Sequence, residues 1–237
     1  MFDDFEKKAE GSLRVDNPEP RCPCVLLLDK SGSMNSKDAA GKTAIMKLNE
    51  GVQTLKSAIN SDRVARKRVE LSLVTFGDSV EVDSGFCPID QFSPNTLAAS
   101  GGTALGAALL RSMVLVERRK EEYKQHRMPY SRPWVILITD AQAQGMDAGW
   151  ESAATNIRAA ETDGRLILYT FGIEPADPAV LRKLSGNFVP AHILKENPGA
   201  IAELFQWLSR SVQSASQNAG GTGQVQLAPV NGFAVPV

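Results

Sequence analysis

The chain has 237 residues, with 26 Lys and Arg against 27 Asp and Glu, a formal net charge of −1 and 43% apolar residues. That length supports one sizeable core and is short for two. Near-neutral charge excludes a global attraction to nucleic acid or to an anionic membrane, so neither is an expected partner.

Residues 1–20 read as a polar lead-in without the apolar stretch of a secretory signal, and no later apolar run approaches the ~20 residues that span a bilayer. Three cysteines cannot all pair within one monomer and no Asn-x-Ser/Thr acceptor occurs. Both fit a reducing compartment, and a cytoplasmic location is expected.

Apolar runs at 25–28, 71–76, 135–138, 166–171 and 188–194 predict strands, several of them buried on both faces. Between them, Ile45, Leu48, Val52, Leu55 and Ile59 recur at helical spacing, as do Leu105, Leu109, Met113 and Val116, and then Trp150, Ala153, Ile157 and Ala160. Strand alternating with helix implies an α/β fold of Rossmann-like, doubly wound type, with a mostly parallel central sheet and helices on both faces. Gly77-Asp78 after Phe76 predicts a tight turn into one short antiparallel edge strand near 80–82. Asp177-Pro178 and Asn197-Pro198 look like cap and first-turn pairs, and Gly164 and Gly186 like helix stops. After Arg210 no charged side chain occurs, and 215–237 reads as an uncharged flexible tail that could add a short strand.

The first strand ends directly in Asp29-Lys30-Ser31-Gly32-Ser33, placing one carboxylate and two hydroxyls at its carboxyl end. Oxygen ligands of this kind suit a hard dication such as magnesium, which takes six of them and keeps some as water. One strand end cannot supply enough, so other segments must contribute. Gly101-Gly102-Thr103 opens a helix, and Ile136-Leu137-Ile138-Thr139-Asp140 ends another apolar strand. In an open sheet both strand ends lie where ligands bind. Thr103 by itself reads equally well as a helix N-cap, and Asp140 as a turn former.

Asp-x-Ser-x-Ser, a distant Thr after glycine and an Asp closing a later strand together resemble the metal-ion-dependent adhesion site of von Willebrand factor A domains, over residues 21–214. The stretch Pro18-Glu19-Pro20-Arg21-Cys22-Pro23-Cys24, the pair Pro133-Trp134 and Leu204-Phe205-Gln206-Trp207-Leu208 are similar to the bacterial tellurium-resistance, TerY-like type. The resemblance implies that Ser31 and Ser33 bind Mg2+ or Mn2+ directly, Thr103 directly or through water, and Asp29 and Asp140 mainly through waters. It further implies an open coordination position for an Asp or Glu of a partner protein, no catalysis, and a stress or tellurite-resistance setting alongside a protein kinase and a PP2C-type phosphatase.

Two departures from the family pattern are Lys30 inside the motif and Ala141-Gln142 after Asp140. Strand alternation directs Lys30 away from Asp29. Two other functions compete with the adhesive one: a metal-dependent phosphoester hydrolase using the same oxygens, and a scaffold with a vestigial site in which Lys30 replaces the ion. A serine hydrolase would need a base, and the two histidines, His126 and His192, have no sequence-level claim to the site. Ala40-Gly41-Lys42-Thr43 imitates a phosphate-binding loop, but the required earlier glycine falls on Ser36. Residues 36–42 instead read as a long loop at the rim of the site. Cys22, Cys24 and Cys87 lack a fourth zinc ligand and read as buried thiols. The basic clusters at 63–68 and 118–120 carry no interleaved aromatic platforms.

Overall fold

The computed structural model describes residues 11–38, 40–142, 145–197, 199–218, 230 and 232–237. The strands are β1 (Cys22–Asp29), β2 (Val69–Phe76), β3 (Val80–Pro88), β4 (Trp134–Thr139), β5 (Ile167–Gly172), β6 (His192–Leu194) and β7 (Ala234–Pro236). The helices are α1 (Ala44–Ser61), the single turn α2 (Ala65–Arg68), α3 (Leu105–Gln125), α4 (Trp150–Thr162), α5 (Pro178–Lys183) and α6 (Ala200–Gln217). Seven strands form one sheet in the order β3-β2-β1-β4-β5-β6-β7. The five inner strands are parallel, and β3 and β7 run antiparallel at the two edges.

Every residue of β1 is buried, which explains why its sequence is continuously apolar rather than alternating. Cys22, Cys24, Leu26 and Leu28 meet the layer of α1 and α6, while Val25 and Leu27 meet the layer of α3, α4 and α5. β4 divides the same way, with Trp134, Ile136 and Ile138 on one face and Val135 and Leu137 on the other. Close approach of α1 to α6 requires Gly51, because a Cβ there would lie 2.1 Å from the Phe205 ring.

The doubly wound α/β architecture is as the sequence predicts, and the differences lie at its edges. The hairpin strand runs to Pro88, well beyond 82, because Phe86 and Cys87 bury against the two core layers. β6 covers only His192–Leu194; Phe188 is 57% exposed with Arg132 stacked on its ring, and Pro190 lacks the amide a ladder needs. α6 continues to Gln217, past 214, and Ala234–Pro236 forms β7. Phe233, just before β7, packs against Trp207 with ring centroids 6.3 Å apart. The remainder of the expected tail, and residues 1–10, lie outside the described residues. Asp177 caps α5 by accepting from the Ala179 amide at 2.8 Å, with Pro178 in the first turn. Gly164 adopts φ +75° after α4. Pro198 of the other cap pair lies outside the described residues, and Gly199 directly precedes α6.

Residues 11–20 pack through a buried polar cluster near the amino ends of the inner strands. Glu70 on β2 accepts from Arg119 Nε at 2.8 Å and from the Tyr123 hydroxyl at 2.5 Å, and its other oxygen lies 3.2 Å from Arg21 Nε. Arg21 also donates to the carbonyls of Arg14 and Asn17, and Arg119 to that of Ser12. All four side chains are almost fully buried. Removing one partner strands the others without water to replace it. Glu70→Ala is therefore expected to cost about 3–5 kcal/mol of unfolding free energy, measured by urea denaturation, with Arg119→Ala giving a similar loss.

Candidate functional site

β1 and β4 are neighbours, yet the chain leaves β1 toward β2 and returns to β4 from the other side. Their carboxyl ends therefore flank the crevice where connections diverge. Leu28 pairs with Ile138, so Asp29 lies level with Thr139. The Thr139 hydroxyl donates to Asp29 Oδ2 at 2.6 Å, and the Ser31 amide donates to Asp29 Oδ1 at 2.8 Å. The backbone then turns through a 3₁₀ turn at Gly32–Asn35, and the Ser31 and Ser33 hydroxyls lie 3.0 Å apart. Met34 anchors this turn in the core. Asp29, Ser31, Thr103 and Asp140 are buried, whereas Ser33 is exposed.

The loop before α3 is bonded to both others. Gly32 donates its amide to Gly101 O at 2.9 Å, and Ser100 donates to Lys30 O at 2.8 Å. On the opposite side Thr103 N donates to Gly145 O at 3.1 Å, Asp147 N donates to Thr103 O at 3.2 Å, and Thr103 forms a parallel bridge to Met146. Main-chain hydrogen bonds thus join the segment carrying Asp29, Ser31 and Ser33 to the one carrying Thr103, and join Thr103 to Gly145 and Asp147, which follow Asp140 along the chain. Thr103 is not the cap of α3. Asp147 takes that role, accepting from the Gly106 amide at 2.7 Å and from the Ala107 amide at 3.0 Å. The Thr103 hydroxyl forms no hydrogen bond to another described residue. Asp147 also places negative charge at the positive end of the 21-residue α3, which would otherwise oppose a cation nearby.

Lys30 points to the sheet edge, with Nζ 2.8 Å from Glu81 Oε2 on β3, in agreement with strand alternation. Ala141, where the family pattern has Gly, is buried at φ +48°, a conformation costly for a residue with a Cβ. Gln142 is held over the same loop by hydrogen bonds to the carbonyls of Pro175 and Asp140. Both histidines lie elsewhere: His126 ends α3, about 30 Å of helix from its start, and His192 is buried in β6 beside Phe171. Cys22, Cys24 and Cys87 are free, buried thiols. Among the described residues no three His, Cys, Asp or Glu side chains are grouped as a metal site, so any ion here must rely on hydroxyls. Lys37 and Thr43 form an antiparallel bridge, and Asp38 Oδ1 accepts from the amides of Ala40 and Lys42.

A family model for the von Willebrand factor type A domain matches residues 24–142, half of the chain. The chain belongs to this family. Von Willebrand factor A domains often use a divalent metal for protein interaction. Solved structures agree on the fold. The pilus adhesin SpaC from Lactobacillus rhamnosus GG superposes with a TM-score of 0.62 at 13% identity, covering 84% of this chain and 32% of that one. The D319A mutant of the PilB minor pilin from Streptococcus sanguinis gives 0.60 at 10% identity, covering 87% and 64%. The ArnB paralog VWA2 from Sulfolobus acidocaldarius gives 0.51 at 15% identity, covering 81% and 45%. This chain spans less than two thirds of the length of each. No curated protein matches the sequence, and no helix among the described residues is long and apolar enough to cross a membrane.

Thr139 and Asp147 are the site residues that sequence reasoning missed. Thr139 was within reach, since it neighbours Asp140 on a strand parallel to β1. Asp147 carried no signal, because its partners are amides 41 and 40 residues away.

Burial pushes the Asp29 carboxyl up to about 6, against the pull of the hydrogen bonds from Ser31 and Thr139, and the nearby charge of Asp140 adds to the rise. A carboxyl with a raised folded value holds its proton more tightly in the native state than in the unfolded chain. Ion-free stability should therefore fall as pH rises between about 4 and 6, by about 3 kcal/mol. Denaturation in EDTA across this range checks the slope, and Asp29→Asn should flatten it.

Proposed function

We propose that the chain is a non-enzymatic protein-interaction module in which Asp29, Ser31, Ser33, Thr103 and Asp140 hold Mg2+ or Mn2+. The bound ion supplies an electrophilic position for an Asp or Glu from a partner protein. The observation that carries this reading is the hydrogen bonding of the Thr103 loop at the sheet's switch point, through Gly32–Gly101 to the loop after β1 and through Thr103–Gly145 to the chain after Asp140. Their donor chemistry supports a hard dication: two adjacent hydroxyls, a third hydroxyl without a described partner, and two carboxylates. Asp29 is already committed to Thr139 and the Ser31 amide, which favours its contacting the ion through water. An ion held mainly by neutral hydroxyls keeps most of its charge for an incoming carboxylate. Ser31 and Ser33 orient the ion, and Asp29 and Asp140 balance its charge.

Within the family we place the chain with the TerY-like type, acting in the cytoplasm in a stress or tellurite-resistance system beside a protein kinase and a PP2C-type phosphatase, with neither nucleic acid nor membrane as partner. The motifs at 18–24, 133–134 and 204–208 support this assignment. The hydrolytic alternative gains no base from the histidines, since His126 ends α3 and His192 stacks on Phe171 in β6. The vestigial alternative would need the Lys30 ammonium in the place of the ion, and that ammonium is paired with Glu81.

Titration of the full chain with MgCl2 or MnCl2 in a calorimeter should give saturable heats that vanish in the Ser31→Ala, Ser33→Ala double variant. Identical heats from parent and variant would refute the site. Crosslinked partners recovered from lysate should be lost in EDTA and regained with excess Mg2+; chelator-resistant recovery would move the chain to the scaffold reading.

A further inference from the structure

The β2–β3 turn, Gly77-Asp78-Ser79, does more than reverse the chain. Asp78 Oδ1 accepts from the Gly102 amide at 2.6 Å. Gly101 beside it adopts φ +78°, and a Cβ there would lie 2.0 Å from Asp78 Oδ2, so the carboxylate occupies the space that a side chain would need. The turn backbone completes the contact: Ala104 donates to Gly77 O at 2.8 Å, and a Cβ at Gly77 would come within 2.7 Å of Ser100 O. On the opposite flank the same segment is held by Ser100 to Lys30 O and by Gly32 to Gly101 O. Residues 100–104 are thereby clamped between the loop after β1 and the hairpin turn. Among these hydrogen bonds, only that of Asp78 comes from a side chain.

We propose that Asp78 is a positioning residue for the ion site, fixing the backbone from which Thr103 projects. This inference rests on the metal-binding reading above. Asp78 is exposed and forms no ion pair with a described residue, so its carboxylate serves the glycine turn rather than a surface charge network. Gly101 and Gly102 are conformationally free in the absence of a partner, and a ligand hydroxyl must be held to within ~0.5 Å to be useful to an ion. Asp78 removes that freedom from one side while the Gly32–Gly101 hydrogen bond removes it from the other. Asp147 bounds the segment farther on, but it also caps α3, so its loss would mix folding with positioning.

The test uses the full chain and Mn2+ as probe. Ion affinity is measured calorimetrically and thermal unfolding is measured separately in EDTA. Asp78→Ala should weaken Mn2+ binding 10–100-fold, the range typical of groups that orient metal ligands, while leaving the EDTA unfolding temperature within a few degrees of the parent. Asp78→Asn, which keeps the acceptor oxygen, should restore most of the affinity. Gly101→Ala, which evicts the carboxylate with Asp78 still present, should reproduce the loss. Parent-like affinity in Asp78→Ala would overturn the proposal. An equal loss in Asp78→Asn would assign the effect to charge and overturn it as well, and so would an unfolding temperature that falls in step with affinity. A parent chain that binds no Mn2+ would remove the ion site itself, a result read on the parent alone and so distinct from failure of the clamp.

Discussion

The reversal of winding direction between β1 and β4 is the constraint on which the rest of the molecule depends. Once the chain has crossed from β1 to β2 over one face, it must return over the other to place β4 on β1's free side. No loop can then run straight across both carboxyl ends, and a crevice remains. The main-chain groups that border it lack sheet partners and must find others. They find one another: Gly32 with Gly101, Ser100 with Lys30, Thr103 with Gly145. The topology thus produces both the opening and the joined loops that surround it.

Electrostatics distinguish the two ends of the sheet. Near the amino ends, Glu70 is enclosed by Arg21, Arg119 and Tyr123, so negative charge is met by positive charge within the protein. At the carboxyl ends, Asp29 is equally buried, yet its partners are a hydroxyl and an amide, and Asp140 adds a like charge. The first end is electrically closed and suits a structural anchor. The second retains uncompensated negative charge beside adjacent hydroxyls, an arrangement complementary to a cation from outside. Desolvation that would be wasteful in a purely structural carboxylate is the usual condition of a group kept for binding.

The glycines around the crevice show how backbone shape serves this arrangement. Gly101 leaves room for the Asp78 carboxylate, which a Cβ would displace. Ala141, in contrast, bears a Cβ in a left-handed conformation at the end of β4. The surrounding contacts of Thr139, which accepts from the Ala141 amide at 2.9 Å, and of Gln142 hold it there. Local strain of this kind persists when neighbouring interactions over-determine the backbone.

The alternation of apolar strands with amphipathic helices was legible in the sequence because burial on both faces leaves a continuous run and burial on one face leaves a 3.6-residue period. Asp29, Ser31 and Ser33 were legible too, since five consecutive residues share one strand end. Those properties are local, and the sequence by itself determined them. The length of β3, the pairing of β7, the capping of α3 by Asp147 and the clamp of Asp78 on Gly102 depend on groups 24 to 44 residues apart or on edge contacts. Only the tertiary structure decided these, because a carboxylate's partner is set by which loops the sheet brings together and not by its neighbours along the chain.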